Sequence, residues 1–165
     1  MKAKEKHGVQ KKFTTFAYIV IILSVFVLPG IDYRYKWSRI PDWIPIIFLG
    51  IIAIAFIYEY VVVKENDYIF RTIEFSKEQR IVDNGLYFII RHPMYLFGMI
   101  IVTSMPLVLG SIYGFFVSFT LLIPLFVMRI LYEEDVLSIE LNGYKEYMGK
   151  VKYRLIPFIW KQNCF

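Results

Sequence analysis

The sequence predicts an all-α fold, an integral membrane bundle of four transmembrane helices with a cytoplasmic loop and a C-terminal amphipathic helix. Three observations carry that prediction. Hydrophobic residues make up 58% of a chain of only 165, with mean hydropathy +0.52. The 19 Lys and Arg and 14 Asp and Glu are segregated from long apolar runs. The basic residues also fall unevenly on the segments between those runs. A chain this short has too much surface to hide so large an apolar fraction in a water-soluble core, which excludes a soluble globule. The uncharged runs exclude a disordered chain. A single cysteine, Cys164, excludes an intrachain disulfide scaffold.

The first run, 13–31, carries no charge in 19 residues, close to the ~20 that cross a ~30 Å hydrocarbon core. Five lysines precede it, as in a signal peptide. The run is long, however, and ends Leu28-Pro29-Gly30-Ile31-Asp32 without a small-x-small cleavage site, so an uncleaved first helix is expected. The second run, 44–63, holds one charge, Glu59, near its end. Glu59 reads most simply as a carboxylate that snorkels to the interface or pairs locally near Lys64. The third and fourth runs form one stretch, Met94–Leu131, broken by Gly110-Ser111-Ile112-Tyr113-Gly114. They are expected as two helices, about 94–110 and 113–131, joined by a tight hairpin and kinked at Pro106.

With four spans, the two termini and the long middle segment share a side. That side holds 16 basic residues against three on the other, and the excess of Lys and Arg marks the cytoplasm. Trp37, Trp43, Tyr58, Tyr60, Tyr113, Tyr132 and Trp160 stand near run ends, as an interfacial aromatic belt requires. The expectation is a multi-pass protein of the cell membrane, one membrane domain over 1–165. A loop at 64–93 and a tail at 132–165 face the cytoplasm and carry any chemistry. There is no phosphate loop, CxxC, His-x-x-x-His or nucleophile elbow. Neither nucleic acid nor a metal is expected as a partner; the bilayer is.

In the loop, Asn84-Gly85 signals a turn, and Arg91-His92-Pro93-Met94-Tyr95 leads directly into the third run. Pro93 suits a first helical turn, where a missing N–H costs nothing. The free amides of that turn and Arg91 make the corner hospitable to an anion, although basic residues there also serve as ordinary membrane anchors. In the tail, a 100° step places Arg129, Glu133, Leu137, Leu141 and Tyr144 on one helical face, continued by Met148 and Val151. Arg129 and Glu133 are then aimed inward, with Glu134 and Asp135 turned away. The pair reads either as a structural i,i+4 ion pair or, because Arg129 lies inside an apolar run, as part of a functional site.

Gly85-Leu-Tyr87-Phe-Ile-Ile-Arg91-His92-Pro93-Met94-Tyr95, then Arg129-x-x-x-Glu133-Glu134-x-x-Leu137, then Tyr144-x-x-Tyr147-x-x-x-Val151 and Arg154-Leu-Ile-Pro157 together resemble the isoprenylcysteine carboxyl methyltransferase family, and its short prokaryotic integral-membrane members in particular. The resemblance covers about residues 66–158. It implies S-adenosylmethionine as methyl donor in a cytoplasm-facing pocket. It also implies cofactor contacts from Gln79, Arg80, Ile81, Val82, Tyr87, His92, Pro93, Met94, Tyr95 and Glu133, and Arg91, at the same corner, is expected to bind the cofactor as well. Arg129 matches the position that holds the carboxylate of the acceptor.

The chemistry suits these residue types. A carboxylate is already ionised at neutral pH, so its methylation needs no general base. Alignment and exclusion of water are what the protein has to supply, and an arginine with paired N–H donors is a natural carboxylate clamp. The expected acceptor is a lipid-like or prenylated thiol-type carboxylate. A phospholipid amine, as in phospholipid N-methyltransferases, is the alternative within methyl transfer. A nicotinamide-dependent membrane reductase of the sterol-reductase type is the alternative outside it.

Overall fold

The computed structural model describes residues 15–17, 19–65 and 81–161. Gln79 and Arg80 lie outside the described residues, as does Cys164. The described part holds five helices: α1 (Thr15–Tyr35), α2 (Trp43–Glu65), α3 (Pro93–Val108), α4 (Ile112–Glu140) and α5 (Tyr144–Lys150). Three of them, α1, α2 and α4, are long and apolar enough to cross a membrane. The helix of the third run, α3, has 16 residues. At 1.5 Å per residue that is about 24 Å.

The helices divide between two compact units. The first lies within Met1–Ala53 and Met99–Leu125, the second within Ile54–Gly98 and Phe126–Phe165. In both, large apolar side chains point outward: Ile46, Leu49, Phe56, Ile57, Phe116 and Phe119 are all exposed. Such faces are stable only against lipid, where the helical backbone satisfies its own hydrogen bonds.

In the first unit, α1 contains a wider turn at Leu23–Val27, where Ser24 Oγ donates to Val20 O at 2.7 Å. It ends on Lys36, whose left-handed backbone (φ 54°) reverses the chain. Near that end Asp32 is 1% exposed. Its carboxylate accepts from Ser38 N and Ser38 Oγ, both at 2.6 Å, and from Ser111 Oγ. Ser111 is also the N-cap of α4, accepting from Gly114 N at 2.9 Å. Ser38 Oγ accepts from Ile112 N at 3.0 Å. One carboxylate thus clasps the end of α1, the following loop and the start of α4. Gly110 turns the α3–α4 hairpin at φ 80°. The clasp also explains why Gly114 is glycine: an added Cβ would meet Pro29, Pro106 and Ser111 at 2.9–3.0 Å.

In the second unit, α4 continues to Glu140, past the end of the apolar run at Leu131. The expected single helical face from Arg129 to Val151 is broken, because the chain turns at 141–143 with Gly143 at φ 84° before α5 begins. The apolar residues of that face still meet: Leu137, Leu141 and Met148 pack on Tyr144, Tyr147 and Val151. Beyond α5 the chain runs back along residues 90–92. Arg91 N donates to Tyr153 O and His92 N to Arg154 O, each at 3.0 Å.

The Asp32 clasp yields a stability prediction. Asp32→Ala takes the acceptor from the buried Ser111 hydroxyl and from half-buried Ser38 and is expected to cost about 1–3 kcal/mol. Thermal unfolding in detergent measures it, and an unchanged midpoint would refute the clasp.

Candidate functional site

All the sequence-predicted site residues that are described fall in the second unit. They separate into two polar groups on adjacent arcs of α4. The first is a chain through Tyr95. Its hydroxyl donates to Glu133 Oε2 and accepts from Arg129 Nε at 3.2 Å. The Tyr95 ring is flanked by His92, centroids 5.7 Å apart, and by the edge of Phe126 at 6.0 Å. Arg129 and Glu133 are half-buried and do face inward. Tyr95 joins them where a direct ion pair was one expectation. Among the described residues, only Nε of the Arg129 guanidinium and only Oε2 of Glu133 have a partner.

The second group centres on Glu134, and here the sequence reading is corrected. Glu134 does not turn away with Asp135. It is 5% exposed and gathers three basic side chains. Arg91 Nη1 lies 3.2 Å from Oε1, and Arg154 Nε donates to Oε2 at 2.8 Å. His92 Nε2 lies 3.2 Å from Oε1 and donates to it in the tautomer that carries its proton there. The reason is visible one turn back: Ile130 and Leu122 are fully buried, and Glu134 continues their stripe at i+4. The inward arc of α4 is broad enough to hold both the 129–133 and the 130–134 rows. Burial pulls the Arg91 guanidinium below its ordinary pKa, while the charge of Glu134 pulls it back up. Arg154 is held from its other side by the Trp160 ring, 5.3 Å away.

The remaining predicted residues frame these groups. Tyr87 is buried in a short 3-10 turn at Gly85–Phe88, and its carbonyl accepts from Tyr147 Oη at 2.7 Å. Ile81 packs on the Tyr144–Tyr147–Val151 cluster, and Val82 is half-buried. Pro93 is fully buried as the first residue of α3, with Met94 half-buried after it. The phenols of Tyr144 and Tyr147 are pushed well above their ordinary pKa, chiefly by burial, and act as neutral hydroxyls. Sequence reasoning turned Glu134 outward, and although Arg154 stood in the family-like motif it was given no place in the site. The signal for both was the pairing of adjacent acids at 133–134 with the basic Arg91-His92. A groove of about 440 Å³ also opens beside Glu134, lined by Tyr132, Asp135, Ser138, Lys145, Met148 and Arg154. Tyr95, Arg129 and Glu133 do not line it.

Residues 44–141, more than half of the chain, match the phospholipid methyltransferase family. The chain belongs to this family. No curated protein and no solved structure matches it. Like the rest of the phospholipid methyltransferase family, it is a multi-pass membrane methyltransferase that uses S-adenosylmethionine. Membership decides between methyl transfer and nicotinamide-dependent reduction in favour of methyl transfer. The matched segment ends at Leu141, so Glu134 joins the family-matched sequence to a tail, with Arg154, that lies beyond it.

The residues present fit the donor. Its sulfonium and ammonium call for carboxylate and aromatic surroundings. Glu133 offers an oxygen without a partner among the described residues, beside the Tyr95 ring. A second carboxylate, Glu65, has a buried Oε2 that accepts no hydrogen bond among the described residues.

Glu134→Ala would take the shared carboxylate from buried Arg91 and from Arg154. It is expected to destabilise by about 3–5 kcal/mol, whereas exposed Asp135→Ala should stay within ~0.5 kcal/mol. Paired thermal melts in detergent check this, and equal effects would refute the assignment of Glu134 as the hub.

Proposed function

We propose that this membrane methyltransferase transfers a methyl group to the carboxylate of a lipid-tailed or prenylated thiol-type acceptor, in the manner of isoprenylcysteine carboxyl methyltransferases. In this reading the chain crosses the membrane four times. Both termini, the 64–93 segment and the tail face the cytoplasm, where the 16 basic residues gather. The cofactor lies among Ile81, Val82, Tyr87, His92, Pro93, Met94, Tyr95 and Glu133, with Gln79 and Arg80 contributing from outside the described residues.

The observation that carries the reading is the state of Arg129. Tyr95 engages its Nε and so fixes the guanidinium plane. The two terminal nitrogens have no partner among the described residues, and together they form the fork that takes a carboxylate as a pair. A cationic amine headgroup beside the same guanidinium would be repelled.

The bound cofactor supplies a methyl group on a sulfonium, an electrophile that needs no activation by the protein. Arg129 holds the acceptor carboxylate, already ionised, so no proton has to be removed. Tyr95 sets the angle of Arg129 and, through the same hydroxyl, the rotamer of Glu133. Glu133 accepts from the donor's ammonium. The apolar walls exclude water that would otherwise solvate the carboxylate and blunt its attack.

Purified protein in detergent, incubated with radiolabelled S-adenosylmethionine and a lipid extract, tests the acceptor. The expected product is an ester that releases volatile label on mild alkali. Label that stays on an amine after alkali would overturn the carboxylate assignment in favour of a phospholipid amine.

Two variants test the roles. Arg129→Ala is expected to lower turnover by about 10²–10³-fold while leaving S-adenosylhomocysteine affinity nearly unchanged. Glu133→Ala should reverse that pattern. Tyr95→Phe, which frees both partners, should lower turnover by roughly tenfold or more through lost alignment. Steady-state kinetics beside calorimetric titration separates the three.

A further inference from the structure

Glu65 is the last residue of α2. Its Oε2 is buried from solvent and accepts no hydrogen bond among the described residues. A carboxylate oxygen sealed from water without a donor is costly. Folded proteins keep such groups chiefly where a ligand or partner completes them.

The surroundings of that oxygen are built to hold it. Its carboxylate lies against Gly85, in the space that a Cβ on that residue would fill. Gly85 itself has φ 54°, in the left-handed region that favours glycine. Two properties of one position, backbone angle and missing side chain, thus make room for the carboxylate. Gly85 opens the 3-10 turn that carries Tyr87.

Glu65 also stands at the right level. Tyr58 stacks on Phe97 at 5.3 Å, and an added Cβ on Gly98 would lie 3.9 Å from Glu59 Oε1. The end of α2 meets Gly85, shortly before α3 begins, so the two helices pass in opposite directions. Six residues beyond Glu59 on α2 therefore correspond to six residues before Gly98, which is His92, immediately before α3. That is the height of the Tyr95–Glu133 group, within about one helical turn.

We propose that Glu65 is a cofactor contact that accepts from the vicinal hydroxyls of the donor's ribose. This rests on the reading that the cofactor lies beside Tyr87, Tyr95 and Glu133. In that reading the donor's ammonium already has an acceptor in Glu133. Its adenine amine is flanked by ring nitrogens whose lone pairs would repel a carboxylate. The ribose diol is the remaining donor group. Its two adjacent O–H groups match the two oxygens of one carboxylate, as acidic residues do toward the ribose in nucleotide-binding folds.

Calorimetric titration of the full-length protein in detergent tests this. The probes are S-adenosylhomocysteine and its 2′-deoxy analogue. Wild type is expected to bind the deoxy analogue about tenfold more weakly, for loss of one charge-assisted hydrogen bond. Glu65→Gln should bind S-adenosylhomocysteine about tenfold more weakly than wild type does, and should no longer distinguish the two probes. Glu65→Gln that matches wild type on both probes overturns the proposal. So does an equal loss on both with the tenfold preference intact. If Glu65→Gln does not fold, Glu65→Asp, which keeps the charge and shortens the reach, is read by the same criteria. Glu133→Gln, titrated alongside, separates the two readings. If it weakens binding while Glu65→Gln does not, the pocket stands and the ribose contact falls. If neither variant weakens binding, both fall.

Discussion

One buried carboxylate holds the second unit together. Glu134 receives Arg91 and His92 from the segment that starts α3 and Arg154 from the segment after α5, while itself belonging to α4. Three parts of the chain, far apart in sequence, converge on two oxygen atoms. Taking that much charge out of water is costly, and Coulomb attraction offsets it only when every partner is in place. The arrangement therefore acts as a register: the segment after α5, the start of α3 and the polar end of α4 are fixed together or not at all. Backbone bonds from Arg91 to Tyr153 and from His92 to Arg154 lock the same register.

The two adjacent glutamates divide the work. A 100° step along α4 separates Glu133 from Glu134. Glu134 has both oxygens engaged, Oε1 by Arg91 and His92 and Oε2 by Arg154. Glu133 keeps one oxygen without a partner among the described residues, and its other oxygen is oriented by Tyr95. Rigid support on one arc of the helix leaves the neighbouring arc available for chemistry. In the proposed reading, that arc is the preorganised part of the site.

Much of this was legible in the sequence, and the failures have physical reasons. The apolar runs located the helices because a lipid-facing helix has to be apolar along its whole length. The i,i+4 spacing of Arg129 and Glu133 correctly turned both inward. Glu134 was misread because the inward arc was taken as one row wide, although Ile130 and Leu122 already marked a second row. The end of α4 at Glu140 was masked by apolar periodicity running on through Leu141 and Tyr144. Asn142-Gly143 was the overriding signal, since Gly143 takes a left-handed angle that ends the helix. The Asp32 clasp could not be read at all, because its partner Ser111 is 79 positions away and no local pattern joins them. Glu65 carried no local signal either, since its neighbour Gly85 is 20 positions away.

The length of α4 has a bearing on what kind of environment governs this protein. Its 29 residues extend about 44 Å, some 14 Å more than the hydrocarbon of a typical bilayer. Arg129 lies 17 residues into that helix and Glu133 one turn farther. Counted from Ile112, the guanidinium's Cα is about 26 Å along the axis, just short of where hydrocarbon gives way to headgroups. The helix thus works as a ruler. In the proposed reading, membrane thickness sets how far the head of a lipid-tailed acceptor has to rise to reach Arg129. Lipids of different tail length in one bilayer present their heads at the same height, so the ruler is indifferent to tail length and responsive to the membrane as a whole.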